Sequence, residues 1–344
     1  MGISITELLT APIDSLPEHQ PERVTFSKNV FIPVTNICRN VCGYCGFRRS
    51  IGDAEANLMP PSEVEDLLRR AQEAHCTEAL FTFGERPYEI PGFHAMLKEI
   101  GYENIVDYLV SLCRMAIDIG LLPHSNPGLL TFDELNELKS INASMGLMLE
   151  TTASLEAHAS SPGKEPELRI WMIEDAGRLK IPFTTGLLIG IGETWGDRIR
   201  SLETIAGIHV RHKHIQEVII QPFVPKPGTM MTAVPEPPSS DVVRTVALAR
   251  YILPDDISIQ VPPNIVRVKP LLLRGASDIG GISPITVDYI NPEHEWPDIA
   301  SMGVELTERL PIYPQYVRGG WYSETLAPLI ADLSDECGFR RIYQ

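Results

Sequence analysis

Short apolar runs recur along this chain and alternate with amphipathic stretches from Val30 to about residue 283. The runs predict strands at Val30–Thr35, Ala79–Phe83, Leu121–His124, Met145–Leu149, Phe183–Ile189, Glu217–Gln221 and Ile257–Val261. An eighth, weaker candidate lies near Asp278–Ser283. Helices fall between them. Ser62-Glu63-Val64-Glu65 reads as a capping box opening a helix with Val64, Leu67, Leu68 and Ala71 on one face. Thr131-Phe132-Asp133-Glu134 reads as a second, with Leu135 and Leu138 behind it. Ile105, Leu109, Leu112 and Ala116 stand at helical spacing, and a further helix runs from near Ser240 to about Leu253, before Pro254. Regular strand–helix alternation implies a parallel sheet. Seven or eight such units in about 300 residues favour a closed barrel over an open doubly wound sheet. The expected fold is therefore α/β: one (β/α)8-type barrel domain over 26–290, with a polar N-terminal extension (1–25) and a C-terminal appendage (291–344) packed on the barrel. No long linker splits the chain, no internal repeat is present, and the Pro-rich piece Pro225–Pro238 reads as a βα loop.

The bulk composition excludes several classes. Hydrophobic residues make up 44% and charged residues 22% of the 344, which suits a soluble globular enzyme. The net charge is −16, and an acidic chain repels phosphate backbones, so nucleic acid is not an expected partner. No run of 18 apolar residues exists, so no membrane span is expected. The N-terminus lacks the basic and apolar regions of a signal peptide. Met1-Gly2-Ile3-Ser4-Ile5-Thr6 matches the N-myristoylation pattern, which is short and frequent by chance. Three of six cysteines crowd into one loop while Cys76, Cys113 and Cys337 are scattered, unlike a disulfide framework. A reducing, cytoplasmic location fits better. Cys76 and Cys113 read as buried structural thiols.

In a parallel barrel, chemistry gathers at the C-terminal ends of the strands. The unusual residues of this chain fall there. Cys38, Cys42 and Cys45 follow the first predicted strand and Gly84-Glu85-Arg86-Pro87 the second. Ser125-Asn126 follow the third, Glu150-Thr151-Thr152 the fourth and Gly190-Ile191-Gly192-Glu193 the fifth. Gln221-Pro222-Phe223 follow the sixth, and Pro262, Pro263 and Asn264 the seventh.

The cysteines have the spacing C-x3-C-x2-C. Iron–sulfur clusters ordinarily take four cysteine ligands. Three thiolates on one short loop, with no fourth nearby, leave one iron of a cubane open to a substrate. A tetrahedral zinc site needs a fourth ligand; His75 or His124 could supply one, but neither stands at finger-like spacing. A cluster of free thiols in an exposed loop is the remaining alternative.

With Tyr44 before the last cysteine, the triplet resembles the radical S-adenosylmethionine (SAM) enzymes. The resemblance implies the (β/α)8-type TIM barrel of that superfamily, one [4Fe-4S] cluster on Cys38, Cys42 and Cys45, and SAM chelated at the open iron. Cleavage of the sulfonium then yields a 5'-deoxyadenosyl radical, with the protein positioning the cofactor and excluding water. Phe83-Gly84-Glu85 resembles the Gly-Gly-Glu element that meets the methionyl ammonium, with Phe in place of the first Gly. Glu150 resembles the strand-four acid that accepts ribose hydroxyls. Gly186–Glu193 resembles the Gly-x-Ile-x-Gly-x-x-Glu run beside adenine, with Leu at the Ile place, and brings Gly190 and Gly192. Tyr44 joins this SAM-binding set. Arg169, on the helix between strands four and five, can reach the cofactor carboxylate or stand in solvent; Arg178 shares that helix. His209, His212 and His214 read as a solvated turn at the opposite end of the barrel rather than a metal site. Arg48 and Arg49 either dock an acidic electron donor or are wet surface.

More narrowly, Phe31–Phe47, Thr82–Pro87, Ile181–Gly186 and Gly280-Gly281-Ile282-Ser283-Pro284 resemble the first-subunit family of the deazaflavin (FO) synthases, over about residues 24–295. The resemblance implies a carbon–nitrogen lyase of the ammonia-lyase type. It cyclises a tyrosine–diaminouracil adduct, 5-amino-5-(4-hydroxybenzyl)-6-(D-ribitylimino)-5,6-dihydrouracil, to FO with loss of ammonia. Implied partners are a companion radical SAM subunit that supplies the adduct and a low-potential electron donor. One cysteine triplet in 344 residues fits half of a two-enzyme pathway. Asn126, Gln221, Asn264, Asp278 and Asp288 are candidates for holding the small-molecule substrate, although Asn and Asp favour turns anyway. Other radical SAM enzymes of the biotin synthase-like group, or an electron-transfer iron–sulfur protein, are the alternatives.

Overall fold

The computed structural model describes residues 4–342. Met1–Ile3, which begin the acylation pattern and the N-terminal extension, lie outside the described residues. Eight parallel strands close a barrel: β1 (Val24–Thr35), β2 (Glu78–Phe83), β3 (Leu122–Asn126), β4 (Ser144–Gly146), β5 (Phe183–Ile189), β6 (Ile215–Pro222), β7 (Ser258–Gln260) and β8 (Asp278–Ile282). Each pairs with its sequence neighbour, and β1 joins β2 on one side and β8 on the other. All eight expected strands are present. Helices follow most of them, including Pro61–Glu73, Ile105–Ile119, Phe132–Lys139, Pro166–Arg178, Trp195–His212 and Ser239–Ile252.

Side chains alternate along β1 as the pleat requires. Val30, Ile32 and Val34 are fully buried in the same apolar core as Val64, Leu68 and Ala71 of the first βα helix. Asn29 and Phe31, on the alternate positions, line the barrel cavity. The Thr131 capping box forms, with Glu134 N donating to Thr131 Oγ1 (3.3 Å) and Thr131 N to Glu134 Oε2 (2.7 Å). The Ser62 box does not. Pro61 occupies the first helical position behind Pro60, and no side chain caps that end. The fixed φ of proline starts the helix two residues early, which puts Ser62 inside the first turn.

Strand β1 begins six residues before its expected start. Its early inward residues are polar because the bottom of the barrel is filled with a charged layer. A ninth strand, β9 (Leu306–Arg309), pairs with Val24–Ser27 of β1 and sends Arg309 into that layer. Arg309 bonds both oxygens of Asp278 (Nε–Oδ2 2.6 Å, Nη2–Oδ1 3.0 Å) and reaches Glu217 Oε2 at 3.3 Å. Tyr313 donates to Glu217 Oε2 at 2.6 Å, and the hydroxyls of Thr25 and Ser27 bond Asp278 and Glu78. The residues after β9 are tied to the barrel: Leu310, Ile312 and Tyr316 pack with Leu122 and Ala143. Leu8, on the N-terminal helix Ile5–Thr10, joins the main core.

The histidine segment is not the solvated turn expected. His209 and His214 are buried. Ile215 N donates to His209 Nδ1 (3.2 Å), and His214 Nε2 meets Ile173 O at 2.9 Å. The neighbouring helix Pro166–Arg178 covers this end of Trp195–His212 and carries Glu174, which pairs with His212 at 2.6 Å. Among the described residues, no helix is long and apolar enough to cross a membrane.

Candidate active site

A cavity of about 450 Å³ occupies the C-terminal mouth of the barrel. Cys38, Cys42 and Cys45 line it on the loop that leaves β1. Backbone bonds pin this loop: Arg39 N donates to Glu85 O (3.0 Å), Val41 N to Ser160 O (3.2 Å) and Gly43 N to Ala157 O (2.8 Å). Two sulfurs accept directed donors, Cys38 Sγ from Glu85 N (3.1 Å) and Cys42 Sγ from Ser161 Oγ (3.3 Å). Gly84 makes the approach possible. A Cβ there would stand 2.1 Å from Ile37 O and 2.9 Å from Cys38 Cβ, so no side chain fits.

The donor set fits an iron–sulfur cluster. Burial pushes the Cys38 thiol up to about 11 and raises Cys45 as well, so thiolates here need a cationic partner. Among the described residues, no three His, Cys, Asp or Glu side chains converge on a single-ion site. Three thiols set around one cavity suit the spaced irons of a cubane with one iron open.

Beside the thiols stands a charged network. Glu85 Oε1 accepts from Asn40 Nδ2 (2.9 Å) and from Arg39 Nε and Nη2 (each 3.3 Å). Glu85 Oε2 accepts from Arg169 Nη1 at 3.1 Å. Arg169 is not solvated: it is 3% exposed, lines the cavity, and also donates to Met148 O (2.5 Å) and Gly163 O (2.9 Å). Arg178, by contrast, forms an exposed pair with Asp175. Gly163 presses onto Glu85, where a Cβ would lie 1.4 Å from Oε1.

Glu150 lines the same cavity in a left-handed conformation (φ 66°), an uncommon state for a residue with a Cβ. Its backbone continues the sheet, accepting from Leu188 N (3.1 Å) and donating to Gly186 O (2.9 Å). Lys164 Nζ donates to its carboxylate at 2.5 Å. Burial pushes Glu150 up, but Lys164 and then Arg169 outweigh it and hold the carboxyl below its ordinary value. Tyr44 packs on the small apolar cluster of Ala157, Leu188, Ile191 and Phe223, and its hydroxyl lies 3.1 Å from His158 Nε2. Burial pushes the phenol well above 10 and His158 down to about 4, so both are neutral near pH 7.

Gly190 and Gly192 do not line the cavity. Both have left-handed φ (94° and 110°), and their turn is closed by Glu193, which accepts from Gly190 N (2.8 Å) and Ile191 N (2.9 Å) and pairs with Arg198 (2.7 Å).

Of the substrate candidates, Asn126, Gln221, Asn264 and Asp288 line the cavity. Asn126 Oδ1 is 3.2 Å from His124 Nε2. Asp288 accepts from Asn264 Nδ2 (2.9 Å) and Asn291 Nδ2 (3.0 Å). Asp278 does not belong with them. It opens β8 at the bottom of the barrel, fully buried under Arg309. Residues not anticipated from sequence also reach the mouth. Lys164 comes from an irregular segment after β4, and Lys226, bonded to Asn291 (2.8 Å) and Glu293, from the βα loop after β6. Asn29 and Gln260 stand on β1 and β7. For Asn29 the signal was present: Thr25, Ser27 and Asn29 alternate in register with the apolar run that follows. Arg48 lines the cavity, while Arg49 bonds Gly46 O (2.7 Å) and pairs with Glu55.

The Radical SAM superfamily description matches residues 32–205. The chain is 58% identical over 323 residues to the 7,8-didemethyl-8-hydroxy-5-deazariboflavin synthase of Methanosarcina mazei, covering 92% of this chain and 96% of that one. A protein of the same name from Archaeoglobus fulgidus is 52% identical over 326 residues, covering 92% and 99%. Among solved structures, HydG, a maturase of the [FeFe]-hydrogenase, superposes with a TM-score of 0.68 at 14% identity, over 90% of this chain and 69% of that one. Methylornithine synthase (PylB) superposes with a TM-score of 0.58 at 17% identity, over 90% and 86%. At such identities the likeness concerns the fold alone.

Proposed function

We propose, from the premise that this chain belongs to the radical SAM superfamily and within it to the 7,8-didemethyl-8-hydroxy-5-deazariboflavin synthase family, that it carries out the ring-closing half of deazaflavin formation. The substrate is the tyrosine–diaminouracil adduct. One hydrogen atom is abstracted from it, the ring closes onto the phenol, ammonia leaves, and a proton and one further electron are lost to give FO, an electron that the oxidised cluster would accept. The observation that carries this reading is that one cavity brings together a cysteine triplet, the Glu85–Arg169 pair and a carboxamide-rich wall. One triplet serves one radical reaction, so the adduct comes from a companion radical SAM subunit, and a low-potential donor supplies the electron.

Cys38, Cys42 and Cys45 hold the cluster. With SAM bound, the pair supplies one-electron cleavage of the sulfonium and a hydrogen-abstracting deoxyadenosyl group. The chain's own residues bind and orient. Arg169 pairs with the methionyl carboxylate while remaining tied to Glu85, and Glu85 with the Gly84 backbone faces the methionyl ammonium. Glu150 accepts the ribose hydroxyls, kept ionised by Lys164. Tyr44 offers its ring to the adenine. Gly190 and Gly192 act at one remove, shaping the turn beside Leu188 and Ile191. Asn126, Gln221, Asn264 and Asp288 face the substrate. Anaerobically reconstituted protein with a strong reductant and SAM should form deazaflavin when given the adduct alone. Given tyrosine and the ribityl diaminouracil, it should do so only when the companion enzyme is present. Deazaflavin from the latter mixture without a companion contradicts the assignment to this half-reaction.

A further inference from the structure

Strand β8 contains the pair Gly280-Gly281, and both glycines are used for their missing side chains. The strand pairing of β1 with β8 slips between Thr25 and Ser27, and Gly280 has a left-handed φ of 75°, with its N–H held by Asp278 Oδ1 at 2.6 Å. Such bulges re-aim side chains beside functional sites. Here they open a shelf onto which two carboxamides fold from the neighbouring strands. A Cβ on Gly281 would stand 2.1 Å from Asn29 Nδ2, on β1, and a Cβ on Gly280 would stand 2.4 Å from Gln260 Nε2, on β7. Both amides line the cavity, and so does Gly281.

Asn29 is 2% exposed, and its Oδ1 has no hydrogen-bond partner. A buried acceptor without a donor is costly, and native interiors rarely tolerate one. An amide side chain carries an acceptor and a two-proton donor on one planar edge. Its complement is a group presenting N–H beside C=O, which is the imide edge of a pyrimidinedione. The charged residues at this mouth lie elsewhere, on the cysteine side and on the loops.

We infer that Asn29 and Gln260, seated on the Gly280–Gly281 shelf, read the imide edge of the substrate's uracil ring, with Asn29 Oδ1 accepting the ring N3–H. The inference rests on the functional reading above and deepens it: it gives the pyrimidine a fixed end of the cavity and leaves the phenol end for the cysteine side.

FO, the expected product, retains the imide and fluoresces, so it serves as the probe. Reconstituted holoenzyme with SAM is titrated with FO and with N3-methyl FO. N3-methylation should weaken binding about 10- to 100-fold in the native protein, the range for an unmatched buried polar group. Asn29→Ala should weaken FO by a similar factor and abolish most of the discrimination against the methylated probe. Gln260→Leu should weaken FO while leaving part of that discrimination. SAM affinity, measured on the same preparations, should be unchanged and certifies that each variant is folded. Equal binding of the two probes by native enzyme, or undiminished discrimination in Asn29→Ala, overturns the inference and leaves the functional reading standing. Native holoenzyme that binds SAM but neither probe overturns both.

Discussion

Arg169 Nη1 lies 3.1 Å from Glu85 Oε2, and the pair clamps the helix after β4 onto the loop after β2 directly beside the thiols. Both side chains are almost wholly buried. Removing one partner of such a pair strands the other charge. Glu85 keeps Arg39 and Asn40, so Arg169→Ala should cost about 3 kcal/mol, the low end for a broken buried pair. It should also weaken SAM binding and 5'-deoxyadenosine formation by at least tenfold. Arg169→Lys keeps the charge but not the fork and should recover stability more than cleavage. Thermal melts and product quantitation on the two variants check this; an Arg169→Ala protein that cleaves SAM normally removes Arg169 from the site.

Gly84 allows the loop after β2 to touch Ile37 O and the Cys38 side chain. Gly84→Ala should displace Cys38, cost roughly 1–3 kcal/mol as overpacking does, and lower the iron retained after reconstitution. Iron analysis against the native protein tests it. Full iron content with native stability would show that the loop has slack.

Tyr44 and His158 form a neutral pair at 3.1 Å. With the phenol held well above 10, Tyr44 is not a proton acceptor at neutral pH. Tyr44→Phe should therefore cost about 1 kcal/mol, the worth of one hydrogen bond, and leave 5'-deoxyadenosine formation within roughly tenfold of native. Complete loss of cleavage in a folded Tyr44→Phe protein would assign the hydroxyl a chemical role.

At the other end of the barrel, burial pushes the Glu78 carboxyl up to about 7 against the pull of Arg309. In the unfolded chain it releases its proton near the ordinary carboxylate value. The folded state thus binds the proton more tightly, so this group's contribution is full below about pH 4.5 and is lost as pH rises through about 7. The gap corresponds to roughly 3 kcal/mol. Glu78→Gln, which keeps a partner for Ser27, should lose less stability than native protein between pH 5 and pH 8. Denaturant unfolding at both pH values measures the difference; identical slopes would mean that Glu78 ionises without cost.

The barrel was legible because its outward strand residues form apolar runs that helices cover, as Val30, Ile32 and Val34 do. The polar bottom layer masked the first half of β1, where only the alternation of Thr25, Ser27 and Asn29 with the apolar run marks the strand. Linear motifs showed the thiols, Glu85 and Glu150. Asp278 and Asp288 were indistinguishable in sequence, yet one closes the bottom under Arg309 and the other bonds Asn264 at the mouth. His158 and Lys164 come from an irregular segment whose partners, Tyr44 and Glu150, are set by the fold rather than by spacing. The burial of Arg169 likewise depends on Glu85 and on the carbonyls of Met148 and Gly163.

The proposed chemistry depends on three thiolates holding a cluster with one iron free for SAM. Electron paramagnetic resonance of the reduced, anaerobically reconstituted protein, recorded before and after adding SAM, tests this most directly. A [4Fe-4S] signal with about four irons per chain that shifts on SAM addition, and that is absent from Cys38→Ala, Cys42→Ala and Cys45→Ala proteins, is the predicted result. A zinc-loaded protein, or a cluster signal that SAM leaves unchanged, would contradict it.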